Sequence, residues 1–184
     1  MMKQFYLILA VLLVNITATF AQIKMDASFE QIIKDFHLSF NEPTENSYKT
    51  VKLSKNNIFN CDFSIKAKKG DLEIRYAVYK LDKEENKVAF PHIISMNTVN
   101  HIASNHLDSD IVVQYITDED LKSNFKADWA ATFYFNPKHQ FSKKKNCKML
   151  ALYKEGIGLV YVFFLFNKSS IELDNQFYSL SFVY

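Results

Sequence analysis

The chain has 184 residues, 48% hydrophobic and 23% charged, and its 22 Lys and Arg against 20 Asp and Glu leave a formal net charge of +2. That length suits one domain with a substantial core, and the near-balance of charge argues against a nucleic-acid binder, which carries a basic surplus on its contact face. Three glycines in all are too few for a phosphate-cradling loop or a dinucleotide fingerprint, and there is neither a serine in a nucleophile elbow nor a His-Glu-x-x-His pair.

Met1, Met2 and Lys3 make a short basic start. An apolar segment follows at residues 5–14, and Thr19, Phe20 and Ala21 place small residues where a signal peptidase cuts. Cleavage is expected between Ala21 and Gln22. The apolar segment is shorter than the ~20 residues of a membrane-spanning helix, and Gln22 is not the cysteine that would take a lipid. The mature chain is thus expected to be exported (periplasmic or extracellular), soluble, and without stable membrane insertion.

Asp26 or Ser28 caps a predicted amphipathic helix over residues 28–38, in which Phe29, Ile32, Ile33 and Phe36 recur at helical spacing and which Asn41, Glu42 and Pro43 end. His37 lies beside that stripe, the place of a hydrogen-bonded structural histidine. Weak alternation marks residues 48–53 as extended. Residues 58–67 alternate better, with Phe59, Cys61, Phe63 and Ile65 on one face. Gly70 supplies a tight turn, after which Leu72, Ile74, Tyr76 and Val78 face one way and Glu73, Arg75 and Ala77 the other. This reads as an antiparallel hairpin, with Glu73 and Arg75 a solvated pair.

Residues 82–87 are a charged loop. Pro91 opens a helical stretch, residues 92–106, carrying Ile93, Ile94, Val99, Ile102 and Ala103, with Asn97 or Thr98 as an internal cap. A short strand at residues 110–116 leads to Thr117 and the acidic first turn Asp118, Glu119, Asp120 of a helix reaching about Lys126. Residues 129–135 are aromatic and strand-forming, stopped by Asn136 and Pro137.

Residues 138–148 read as a loop holding Lys138, Lys143, Lys144, Lys145 and Lys148. Flanking strands would hold its ends together and concentrate that charge at one edge of the domain, where it could dock an acidic partner or an anionic head group. A second hairpin follows, residues 147–153 turning at 154–158 into the run 159–166, Leu-Val-Tyr-Val-Phe-Phe-Leu-Phe. Successive strand side chains point to opposite faces, so eight apolar positions in a row require a central strand covered on both sides. Ser169 or Ser170 caps a last helix with Ile171, Leu173, Phe177 and Leu180, and Phe182, Val183 and Tyr184 form an apolar tail expected to be tied down.

Cys61 and Cys147 admit a disulfide permitted by export, two buried thiols, or, last, a catalytic thiol, which would need an electropositive setting. Among metal-ligand types, His92, His101, His106, Asp108 and Asp110 are the nearest to a cluster, but His101 and His106 sit five apart, about 140° around a helix. They read as surface polar residues. No cofactor, metal site or catalytic residue is expected.

The two hairpins, the helical region between them and the closing Asn175-Gln176-Phe177-Tyr178-Ser179-Leu180-Ser181-Phe182 resemble the PsbP-like fold over most of the mature chain. This resemblance implies an α/β/α sandwich with a central antiparallel sheet, of a largely non-enzymatic family whose members dock onto protein assemblies. The helix before the first hairpin departs from that pattern, and no diagnostic motif carries a functional residue across. The expected fold class is α+β, a central, mainly antiparallel sheet covered by helices. The expected function is an exported, non-catalytic binding module with a protein partner, followed by a carrier of an apolar small molecule and then by a hydrolase-type enzyme.

Overall fold

The apolar run at residues 159–166 occupies the middle of a seven-stranded sheet and is buried along its whole length. The computed structural model describes residues 23–43, 47–53, 58–81, 90–106, 109–168 and 171–184. The expected signal peptide, the charged loop at 82–87, Asp108 and the capping serines Ser169 and Ser170 lie outside the described residues.

In chain order the elements are helix α1 (Ala27–Asp35), strands β1 (Leu38–Phe40), β2 (Tyr48–Thr50), β3 (Phe63–Ala67) and β4 (Glu73–Tyr79), and helix α2 (Pro91–Ile102). Strand β5 (Val112–Tyr115) precedes a helical turn α3 (Asp118–Asp120) that widens into a π-helical turn (Leu121–Phe125). Strands β6 (Trp129–Phe135), β7 (Asn146–Lys154) and β8 (Gly158–Phe166), helix α4 (Ile171–Gln176) and strand β9 (Leu180–Phe182) complete the fold. The main sheet runs β2-β3-β4-β8-β7-β6-β5, every neighbour antiparallel. The protein is α+β, as its sequence pattern requires.

Alternation along the strands divides the core in two. On one face Phe63, Ile65, Ile74, Tyr76, Val160, Val162 and Phe164 pack with Phe29 of α1, Leu173 of α4 and Phe125. On the other, Ala77, Leu159, Tyr161, Phe163, Leu165, Met149 and Phe133 pack with Val99 and Ile102 of α2. Asp26 caps α1, its Oδ1 accepting from the Phe29 amide at 2.8 Å and from the Ser28 hydroxyl at 2.7 Å. Phe29, fully buried, then stacks on Phe63 with ring centroids 4.5 Å apart. Helix α2 takes Pro91 in its first turn, where the missing amide costs no hydrogen bond. It runs unbroken through Asn97 and Thr98, and the Ser95 and Thr98 hydroxyls reach the Tyr161 hydroxyl at 3.4 and 3.5 Å. Thr117 caps the acidic turn, accepting from the Asp120 amide at 3.2 Å.

Several expectations are corrected. Helix α1 stops at Asp35 instead of running to residue 38, because His37 turns left-handed (φ 49°) and releases Leu38 to pair with Phe182. The two-stranded sheet β1-β9 also ties down the tail: the Val183 amide donates to the His37 carbonyl at 2.9 Å, and the Tyr184 hydroxyl lies 3.2 Å from His37 Nδ1. Leu180 accordingly belongs to β9 and not to the last helix.

Phe59 and Cys61 do not share a face with Phe63 and Ile65. The Asp62 carboxylate accepts the Val78 amide at 2.8 Å where a strand carbonyl would otherwise serve. The strand therefore begins at Phe63, and Phe59 and Cys61 cross to the second face and pack against its core.

The lysine loop is shorter than expected. Strand β7 starts at Asn146, which places Lys148 in the sheet with its ammonium 4.4 Å from the Phe177 ring, on the α1 side.

Candidate functional site

Helix α2 covers the second face over β6 and β8 but stops short of the β3–β4 flank. There the sheet is roofed by two irregular segments, the stretch through Phe59 and Cys61 and the loop through Phe141. Between them lies a cleft of about 440 Å³. Its floor carries Lys66, Glu73 and Arg75, its sides Lys52 and Cys61, and its roof His139, Gln140, Ser142, Lys143 and Lys144.

Glu73 and Arg75 are not the solvated pair expected from their position. Their side chains are only 15% and 16% exposed, and Arg75 Nε and Nη2 both lie 2.7 Å from Glu73 Oε1. The remaining end of the guanidinium donates from Nη1 to the Phe141 carbonyl at 2.7 Å, and the charge sits 5.3 Å from the Phe141 ring centroid. One side chain thus neutralises the acid in the floor and moors the roof. The missed signal was the apolar residue Phe141 inside an otherwise polar loop, which is 2% exposed and packs edge-on against Phe163 at 5.1 Å.

Lys144 closes one end of the cleft by pairing with Asp71 in the β3–β4 turn, whose carboxylate also accepts from the backbone and side-chain amides of Asn167. Burial pushes the Asp71 carboxyl up, but the Lys144 and Asn167 hydrogen bonds outweigh it and hold the group below its ordinary value. A depressed carboxyl contributes its stability above the unfolded-state value and loses it only as pH falls through the folded one. The clasp therefore persists through the ordinary carboxylate range.

The five loop lysines do not form one patch. Lys143 and Lys144 line the cleft and also a shallower depression on the loop's other flank, beside His106 and Asn136. Lys138 and Lys145 line only that second depression, and Lys138 Nζ donates to the His101 carbonyl at 2.7 Å. Lys148 is on the opposite side of the sheet. Lys66 and Lys52, which no loop pattern points to, complete the basic cleft from the sheet side.

Both cysteines are free thiols. Burial drives the Cys61 thiol up to about 12 against the opposing pull of Arg75, and burial likewise raises Cys147 well above its ordinary value. The nucleophile is the thiolate, so neither thiol is activated at neutral pH. A disulfide reagent at pH 8 is expected to leave the buried Cys147 unlabelled in the folded protein, to label the partly buried Cys61 only slowly, and to label both after denaturation; rapid labelling of native Cys61 would contradict its raised thiol pKa. Among the described residues no three of His, Cys, Asp and Glu are placed to hold a metal ion, and no helix is long and apolar enough to cross a membrane.

A second opening lies at the far edge of the same face. Between α2 and β5 a groove of about 290 Å³ is lined by Ile93, Met96, Val113, Tyr115, Trp129 and Phe133. It is apolar where the cleft is charged. No family model, curated protein or solved structure matches this chain.

Proposed function

We propose that the protein is an exported, non-catalytic binding module that docks an acidic segment of a partner protein in the cleft beneath the Phe141 loop. The observation that carries this reading is the convergence of Lys52, Lys66, Arg75, Lys143 and Lys144 on one concavity in which Glu73 is already neutralised by Arg75. A concave site lined by one sign of charge focuses its field and draws in the opposite charge. The resemblance to PsbP-like proteins, which act by docking, points the same way.

Lys66→Glu with Lys143→Glu is expected to weaken retention on an immobilised polyglutamate peptide by about tenfold, the product of two modest ion pairs. Retention by the unaltered protein is expected to fall steeply with salt. The control is Lys34→Glu, an exposed lysine in the last turn of α1, on the other layer. Equal retention of all three proteins would remove the cleft from consideration.

The groove between α2 and β5 favours a second reading, a carrier of an apolar small molecule held between helix and sheet. Under that reading a gently isolated protein has a native mass above that of its polypeptide. A clean polypeptide mass counts against it.

A further inference from the structure

The pairing register places two like charges face to face at the cleft's sheet-side edge, Lys66 lining the cleft and the exposed Lys49 beside it. Lys49 of β2 stands directly opposite Lys66 of β3, and Lys66 stands opposite Glu73 of β4. Tyr48, in β2, is buried in the α1-side core, so alternation puts Lys49 on the cleft side together with Lys66. Like charges directly opposite on neighbouring strands destabilise a sheet. Glu73 is already neutralised by Arg75, whose Nε and Nη2 both lie 2.7 Å from its Oε1, and it makes no ion pair with Lys66 among the described residues. Lys144 is likewise satisfied by Asp71. Subtracting those two neutral pairs leaves Lys66 and Lys52 on the sheet side and Lys143 on the roof, with Lys49 behind them, and no acid among the described residues pairs with any of them.

From this arrangement we infer that the cleft seats a phosphomonoester, a tetrahedral dianion, between Lys66 and Lys143. The inference rests on the proposed docking function and specifies its ligand. Three features select this group over a single carboxylate. A phosphomonoester carries about −1.5 to −2 charge at pH 7 and so offsets two ammonium groups at once. The guanidinium fork, which could hold a carboxylate or a phosphoryl group bidentately, is occupied, so the available cations are lysines acting as point charges, which the three oxygens of a phosphoryl group can meet together. Neutral donors are at hand as well: Gln140 lines the roof, and the Ser142 Oγ accepts from the Lys144 amide at 3.1 Å, which leaves its hydrogen free to donate. Beside Arg75 in the register, the Ser64 hydroxyl is 1% exposed and has no hydrogen-bond partner among the described residues. The cleft also falls within the usual size of a small-ligand site.

The phosphoryl group could arrive on a small molecule such as a sugar phosphate or on a segment of the partner protein, and the test separates the two. Calorimetric titration at fixed ionic strength would use glucose 6-phosphate, a short acidic peptide with one phosphoserine, and the same peptide with glutamate in its place. Saturable binding of either phosphorylated ligand, at least tenfold tighter than the glutamate peptide, supports the inference and identifies the source. That binding should weaken at least tenfold in Lys66→Gln and in Lys143→Gln, stay unchanged in Lys34→Gln, and be competed by inorganic phosphate. Circular dichroism of each variant verifies that it is folded. If the glutamate peptide binds as tightly as the phosphorylated one, the phosphomonoester assignment is overturned while the acidic-segment reading stands. If none of the three binds, both fall.

Discussion

Replacing Gly158 with alanine is expected to cost at least about 3 kcal/mol of stability, or to prevent folding, because a Cβ there would lie 2.3 Å from the Tyr79 carbonyl oxygen. Gly158 opens β8 with φ +145°, directly beside the end of β4, so the obstacle is backbone and cannot rotate away. Gly156, two residues earlier in the same turn, has φ +76° and open space around it. Alanine at 156 meets only the left-handed penalty, about 1–2 kcal/mol. Denaturant titration of the two variants checks the comparison, and equal losses would show that close approach of β4 is not what demands glycine at 158.

The second large effect is expected at Arg75. Its removal in Arg75→Ala takes away the ion pair with Glu73, the bond to the Phe141 carbonyl and the contact with the Phe141 ring together. It also leaves Glu73 with an uncompensated charge in a mostly buried place. Breaking one side of such a pair costs on the order of 3 kcal/mol. Removing both partners in Glu73→Ala/Arg75→Ala should recover part of that loss, because no unpaired charge remains. Arg75→Lys should not recover it, since an ammonium cannot hold Glu73 and the Phe141 carbonyl in one plane. Urea unfolding of the three variants gives the ordering. A double variant less stable than Arg75→Ala would mean that the unpaired charge is not the dominant cost.

These two positions differ in how far the sequence reveals them. Gly158 stands at the end of a turn between two apolar runs, where a glycine is readily anticipated. That β4 would lie against it depends on β4 pairing with β8, a connection between segments about eighty residues apart. Arg75 looked like one half of an ordinary surface pair because alternation tells which face a residue is on and not what covers that face. The covering element is the loop through Phe141, sixty-six residues away.

Local patterns carried most of the architecture. Eight apolar residues in succession required a doubly covered strand, alternation around Gly70 required a hairpin, and Asp26 and Thr117 marked helix starts that their side-chain bonds make. Each of these is a matter of neighbours within a few residues, where spacing and side-chain chemistry act directly. Tertiary structure alone decided the pairing of Leu38 with Phe182, the start of β3 just after Asp62, the dispersal of the loop lysines, and the meeting of Lys52, Lys66 and Lys143 around one cleft. Those outcomes depend on which distant segments pair and in what register. A shift of one residue in any of the strands would send the same side chains to the opposite layer.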